Sequence, residues 1–131
     1  LSDTVLVEEM VTDAVAELII GVARDPVFGL HVVFGAGGVF AELMDDRAIL
    51  IPPFDDRDVG DALDRLKIAR VLKGYRSRPA AHIGAIVNAV LAVQSFMIAN
   101  AEHLVELDVN PLIATPSRAV AVDALIRMEA P

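Results

Sequence analysis

The chain has 131 residues, of which 55% are hydrophobic, 23% charged and 5% aromatic, with a net charge of -8. That length suits one domain or one lobe of a larger one, and the composition supplies a core and excludes disorder. Zero cysteines exclude disulfides, zinc–thiolate sites and thiol nucleophiles, and fit a reducing, cytoplasmic setting. No basic face is apparent and one Tyr with no Trp makes no stacking platform, so nucleic acid is not an expected partner.

In chain order, "TVLVEE" (4–9) and "AELIIGVAR" (16–24) read as β-rich runs. "HVVFGAGGVFAELM" reads as two short strands around a glycine loop, and "AILI" (48–51) as another strand closed by Pro52-Pro53. "DDRDVGDALDRLKIARVLKG" (55–74) reads as one helix, capped by Asp and ended by Gly74. A longer helix follows, with Ser77 as candidate cap and Pro79 in its first turn. Its residues 80–99 are apolar enough to raise a membrane span, but Asn88, Gln94, Ser95 and many alanines favour a helix buried on two sides, by a sheet and by a further domain. Strand 104–114, a Pro116-Ser117 turn and strand 119–127 complete an expected α+β fold, a mostly antiparallel sheet with two helices packed on it. The first residue is Leu, so 1–131 is read as a single lobe, a piece of a longer protein.

The terminal hairpin carries the sharpest chemistry. In "VELDVNPLI", Glu106, Asp108 and Asn110 share one strand face. A turn centred on Pro116-Ser117 puts Asn110 opposite Asp123, with both side chains on one face. Two such oxygen ligands suit a hard cation such as Mg²⁺, which takes its other ligands from phosphate and water. Spacing alone favours the plainer reading, in which Asn110 ends a strand and Asp123 solvates an edge.

Other stretches carry weaker signals. The Gly35–Gly38 loop fits a tight bend better than a phosphate cradle, and its spacing is not that of a dinucleotide fingerprint. Glu8, Glu9 and Glu17 can accept hydrogen bonds from an adenine amino group or ribose hydroxyls, or solvate a strand. Arg24 can contact a phosphate or pair with Asp25 at a turn. His31, His82 and His103 lack mutual metal spacing and a nucleophile partner, and read as structural.

Taken in order, "VLVEEMVTDAVAELIIGVARDPVFG", "VVFGAGGVFAELMDD", "VLKGYRSRP" and "VELDVNPLI…VAVDALI" resemble the C-terminal ATP-grasp lobe of NDP-forming acyl-CoA synthetases, relatives of the beta subunit of succinyl-CoA synthetase. The resemblance implies two α+β lobes that clasp ATP or ADP. It also implies interconversion of acyl-CoA, ADP and phosphate with acid, CoA and ATP, through a phosphohistidine supplied elsewhere. By motif position, Asn110, Asp108 and Asp123 resemble the Mg²⁺ site. Glu8 or Glu9 resembles the hinge residue near adenine, and Glu17 the second nucleotide-side carboxylate. Gly37 and Gly38 fall in the glycine motif. No catalytic residue is expected within these 131 residues, which alone should not turn over. The implied partners are the nucleotide, the other ATP-grasp lobe and CoA-binding domains, with a homo-oligomer left open and no membrane. The alternative is a synthetase-like regulatory or interaction domain of an acetyltransferase fusion, without ligase activity.

Overall fold

The computed structural model describes residues 3–39 and 41–130. Strand β1 (Ala16–Asp25) places Leu18, Ile20 and Val22 inward, each under 5% exposed, as the period of two for a strand requires. It turns at Asp25, whose Oδ1 accepts the N–H groups of Val27 (2.7 Å) and Phe28 (3.2 Å), and returns as β2 (Gly29–Ala36). A four-residue helix α1 (Ala41–Met44) and strand β3 (Arg47–Leu50) follow. Helices α2 (Asp56–Asp64), α3 (Ala69–Leu72) and α4 (Ile83–Ala99) come next. Strands β4 (Leu104–Ala114), β5 (Ala119–Ala121) and β6 (Ala124–Met128) close the chain.

The strands form one sheet in the order β3-β2-β1-β4-β5, with β6 also pairing β4, and every pairing is antiparallel. One face packs on the helices through Phe34, Val32, Ile20 and Leu107 from the sheet and Val59, Leu63, Ile86, Val90 and Met97 from α2 and α4. Among the described residues, helices α2, α3 and α4 leave the other face open, and it presents Ile19, Gly21, Val33, Ile49 and Asp108. This is the expected α+β architecture.

Four expectations need correction. Residues 4–9 form no strand: they enter none of the sheet's pairings, and Val5, Leu6 and Val7 are more than 80% exposed. The second strand expected in "HVVFGAGGVFAELM" is helix α1 in its described part; Phe40 lies outside the described residues. The helix expected over 55–74 is broken between α2 and α3. Both oxygens of buried Asp46 take the N–H groups of Lys67 and Ile68 at 2.7 Å, removing two donors that a continuous helix would spend on its own carbonyls.

The long helix starts later than Ser77. Ser77 has φ 66, and Ala81 and His82 give their N–H groups to Leu72 and Thr115, so the chain is committed elsewhere until α4 begins. There His82 Nδ1 accepts the Ala85 N–H at 2.9 Å and serves as the cap. The cap of α2 is as expected: Asp55 and Asp58 exchange side-chain-to-backbone bonds at 2.9 and 3.0 Å. Buried Gln94 clamps Phe54, accepting its N–H at 2.8 Å and donating to its carbonyl at 2.9 Å. Within this chain the outer face of α4, with Asn88, Ala92 and Ser95, is exposed, and it is the side on which the sequence reading places a further domain. No helix among the described residues is long and apolar enough to cross a membrane.

Candidate functional site: an open sheet face beside a glycine loop

The terminal hairpin has the register that its turn predicts. Ala114 pairs with Ala119, Leu112 with Ala121 and, past a break in the returning strand, Val109 with Ala124. Between them the Asn110 N–H donates to the Asp123 carbonyl at 3.0 Å and the Val122 N–H to the Pro111 carbonyl at 3.0 Å. Buried Thr115 shapes the tip, its Oγ1 accepting the Arg118 N–H at 3.0 Å.

On its other side β4 carries a bulge. Leu18 pairs with Leu112 but Ile20 with Val109, so Ile19 faces both Asn110 and Pro111, whose peptide bond is cis. The bulge shifts the alternation: Leu107 and Val109 point inward before it, Leu112 and Ala114 after it. Bulges re-aim side chains in this way next to sites. Asn110 and Asp123 are both exposed, and no hydrogen bond or ion pair among the described residues engages their side chains. Asp108 shares the open face one pair further along, between Gly21 and Leu125, with Oδ1 leaning over Gly21.

Glu17 stands two residues before Ile19 on the same side of β1, about 7 Å along the strand. The glycine loop folds onto it. The Gly37 N–H donates to the Glu17 carbonyl at 2.9 Å, and a Cβ on Gly37 would lie 3.1 Å from Leu18 backbone. Gly38 has φ 82, and a Cβ there would meet Glu17 Oε2 at 3.1 Å. Gly37 thus packs tightly on the Glu17–Leu18 backbone, and Gly38 is favoured by its positive φ.

The remaining expectations fall elsewhere. Arg24 neither meets this cluster nor pairs with Asp25. It sits seven residues along β1 from Glu17, about 23 Å away, and donates to the carbonyls of Ala101 (2.8 Å) and Leu104 (3.5 Å). Arg24 thus ties down the α4–β4 turn. Glu9 is ion-paired with Arg118 at the hairpin tip, and that guanidinium holds its carboxyl below the usual carboxylate range. Glu8 on the same arm is exposed and unengaged among the described residues. Glu106 pairs with Arg127 at 3.3 Å.

Sequence reasoning missed one side of the site. Arg47 pairs in register with Gly35, in the row that continues through Ile19 to Asn110. With Ile19, Ala36, Ala41, Glu42 and Asp45 it lines a concavity beside the glycine loop. The signal was the absent side chain at Gly35, where a Cβ would lie 2.1 Å from the Asp46 carbonyl oxygen.

Among the described residues no three His, Cys, Asp or Glu side chains converge as a closed metal cage. The site instead offers a neutral amide and a free carboxylate from facing strands. That donor set fits Mg²⁺, which keeps most of its shell for water and phosphate oxygens, and not zinc or a soft metal.

A sheet with helices on one side, and an open face ending in a bulged Asn-Pro strand and a glycine loop, is an α+β lobe with one face of its sheet uncovered by α2, α3 and α4. The ATP-grasp domain family matches residues 2–128, and the chain belongs to it. It is 38% identical over 119 residues to acetate–CoA ligase [ADP-forming] I of Archaeoglobus fulgidus, covering 91% of this chain and 17% of that protein. It is 33% identical over 108 residues to the beta subunit of acetate–CoA ligase [ADP-forming] I of Pyrococcus furiosus, covering 82% and 46%. Among solved structures it resembles dinucleotide-forming acetyl-coenzyme A synthetase 1 of Candidatus Korarchaeum cryptofilum, in complex with coenzyme A and Mg-AMPPCP. That match has a TM-score of 0.82 and 38% identity, and covers 87% of this chain and 53% of the other. The chain thus spans at most about half the length of these relatives.

Proposed function

We propose that this chain is the nucleotide- and Mg²⁺-holding lobe of an NDP-forming acid–CoA ligase, the other half of the clasp and the CoA-binding modules lying in the rest of the enzyme. The observation that carries this reading is the facing pair Asn110 and Asp123, two exposed, unengaged oxygen donors beside Glu17 and its glycine loop. The site's acidity is consistent with it. Glu17, Asp108 and Asp123 repel a bare polyphosphate, so the phosphates must enter with a cation. When bound, Mg²⁺ neutralises the charge on the phosphoryl oxygens.

In this reading Asn110 and Asp123 hold the ion while Asp108 raises the local negative potential and accepts from its bound water. One neutral amide and one carboxylate leave the ion net positive toward the phosphates. Glu17 accepts hydrogen bonds from the nucleotide's sugar side, and the loop at Gly37 and Gly38 lets backbone approach the ligand closely. Glu8 reaches the base from the arm, because Glu9 is committed to Arg118. The apolar surface of Ile19, Val33 and Ile49 floors the cleft. The parent enzyme, in the cytoplasm, interconverts acyl-CoA, ADP and phosphate with acid, CoA and ATP; this lobe alone is inactive. Titration calorimetry of the full-length protein with Mg·ADP tests the site: Asp123→Ala should abolish the metal-dependent part of the affinity. An unchanged isotherm would sink the assignment.

A further inference from the structure

Although the chain carries -8 overall, its charge is strongly segregated. Six of its 11 Lys and Arg residues fall within residues 65–78, a stretch with no Asp or Glu. All six are exposed, on the end of α2, on α3 and on the loop before α4. Lys73 pairs with Asp64 at 2.8 Å, and Lys67 donates to the Met44 carbonyl at 3.2 Å. Among the described residues the guanidiniums of Arg65, Arg70, Arg76 and Arg78 have no acidic partner. So many like charges in one patch repel one another unless an anion joins them.

The local backbone adds donors. Arg76 (φ 48) and Ser77 (φ 66) sit at the centre of a turn closed by the Arg78 N–H to the Tyr75 carbonyl at 3.1 Å. Two consecutive positive φ values usually call for Asn or Gly, and backbone outliers of this kind cluster at functional sites. Among the described residues no acceptor meets the N–H groups of Tyr75, Arg76 and Ser77. Successive free N–H groups in such a turn make an anion-binding concavity. Beside it, Lys67, Arg70, Val71 and Tyr75 line a groove of about 400 Å³, and the Arg76 guanidinium lies 5.3 Å from the centre of the Tyr75 ring.

We propose that residues 65–78 form a second, metal-independent site for a phosphate-bearing ligand, with Arg70 and Arg76 as its principal contacts and the Tyr75–Ser77 amides completing it. A phosphate offers oxygens in several directions, suiting guanidiniums and backbone donors presented by α3 and the turn that follows it. The site belongs to the helix layer, whereas Asn110 and Asp123 belong to the open sheet face, so the two readings stand or fall separately.

The test is calorimetry of the full-length protein with inorganic pyrophosphate, in EDTA and at low salt. Binding is expected in the wild type and in Asp123→Ala. In Arg70→Ser/Arg76→Ser it should weaken by about tenfold or more for each guanidinium lost. Hydrogen exchange of the wild type with and without pyrophosphate should show protection in the peptides spanning 65–78, a readout that needs no variant to fold. Absence of binding, equal binding in the double variant, or protection confined to the strands bearing Asn110 and Asp123 would each overturn the proposal. So would binding of a poly-glutamate peptide without binding of pyrophosphate, which would make the surface a dock for an acidic protein.

Discussion

Asn110 gives its backbone N–H to the Asp123 carbonyl at 3.0 Å, while both side chains stand exposed and unengaged. The backbone bond holds the two strands together at the point where their side chains are left free. The side chains are thus separable from the fold. Asp123→Ala and Asn110→Ala should each shift stability by no more than about 0.5 kcal/mol, as surface changes do. In the full-length protein the proposed site predicts that each should weaken Mg·ADP by at least the roughly 10–100-fold that loss of even an outer-shell partner costs a metal site. Urea denaturation and calorimetry on the same samples read the two quantities separately.

Gly38 and Glu17 make a second test. An alanine at 38 must adopt φ 82 with its Cβ 3.1 Å from the Glu17 carboxylate. The strained backbone costs about 1–2 kcal/mol, and the displaced carboxylate should raise the KM for nucleotide. Gly35→Ala should be far worse, because the atom in its way is the Asp46 main-chain oxygen and β2 and β3 would have to part. Thermal melts should rank Gly35→Ala well below Gly38→Ala.

Arg24→Ala distinguishes a strut from a ligand contact. Losing its bonds to the Ala101 and Leu104 carbonyls should cost about 1 kcal/mol or somewhat more and leave nucleotide affinity unaltered. A loss of Mg·ADP affinity with stability intact would return Arg24 to the site.

Glu9 carries a pH signature. Its hydrogen bond and charge pairing with Arg118 lower its folded-state pKa from the ordinary 4.5. The contribution is therefore fully present above 4.5 and lost as pH falls through the lower folded value. NMR titration should find the Glu9 midpoint below 4.5 in the wild type and restored toward it in Arg118→Gln. Added salt should act in the same direction as that substitution, since the pair is exposed.

Gln94 is a buried polar clamp between α4 and the segment before α2. Gln94→Leu keeps the bulk but orphans the buried Phe54 N–H and carbonyl that it clamps. At about 1–3 kcal/mol for each buried group left unsatisfied, the melting temperature should fall more than for any surface change above.

By itself the sequence determined what depends on local pattern and turn chemistry. Alternating apolar residues marked β1 and β4, a Pro-Ser tip set the terminal register, and Asp55 marked the start of α2. Asn110 opposite Asp123 follows from the tip alone, because hairpin pairing is antiparallel and counted from the turn. Only the tertiary structure decided the rest. Asp46 broke the helix at Lys67 from 21 residues away. Thr115 and Leu72 delayed the start of α4 by capturing backbone donors. Arg24 was claimed by a turn 77 residues on. The basic stretch 65–78 was counted away in a net charge of -8, until folding exposed its guanidiniums together. Local pattern fixes which way a side chain points along its own element, whereas the partner that meets it is chosen by chain segments far away in sequence.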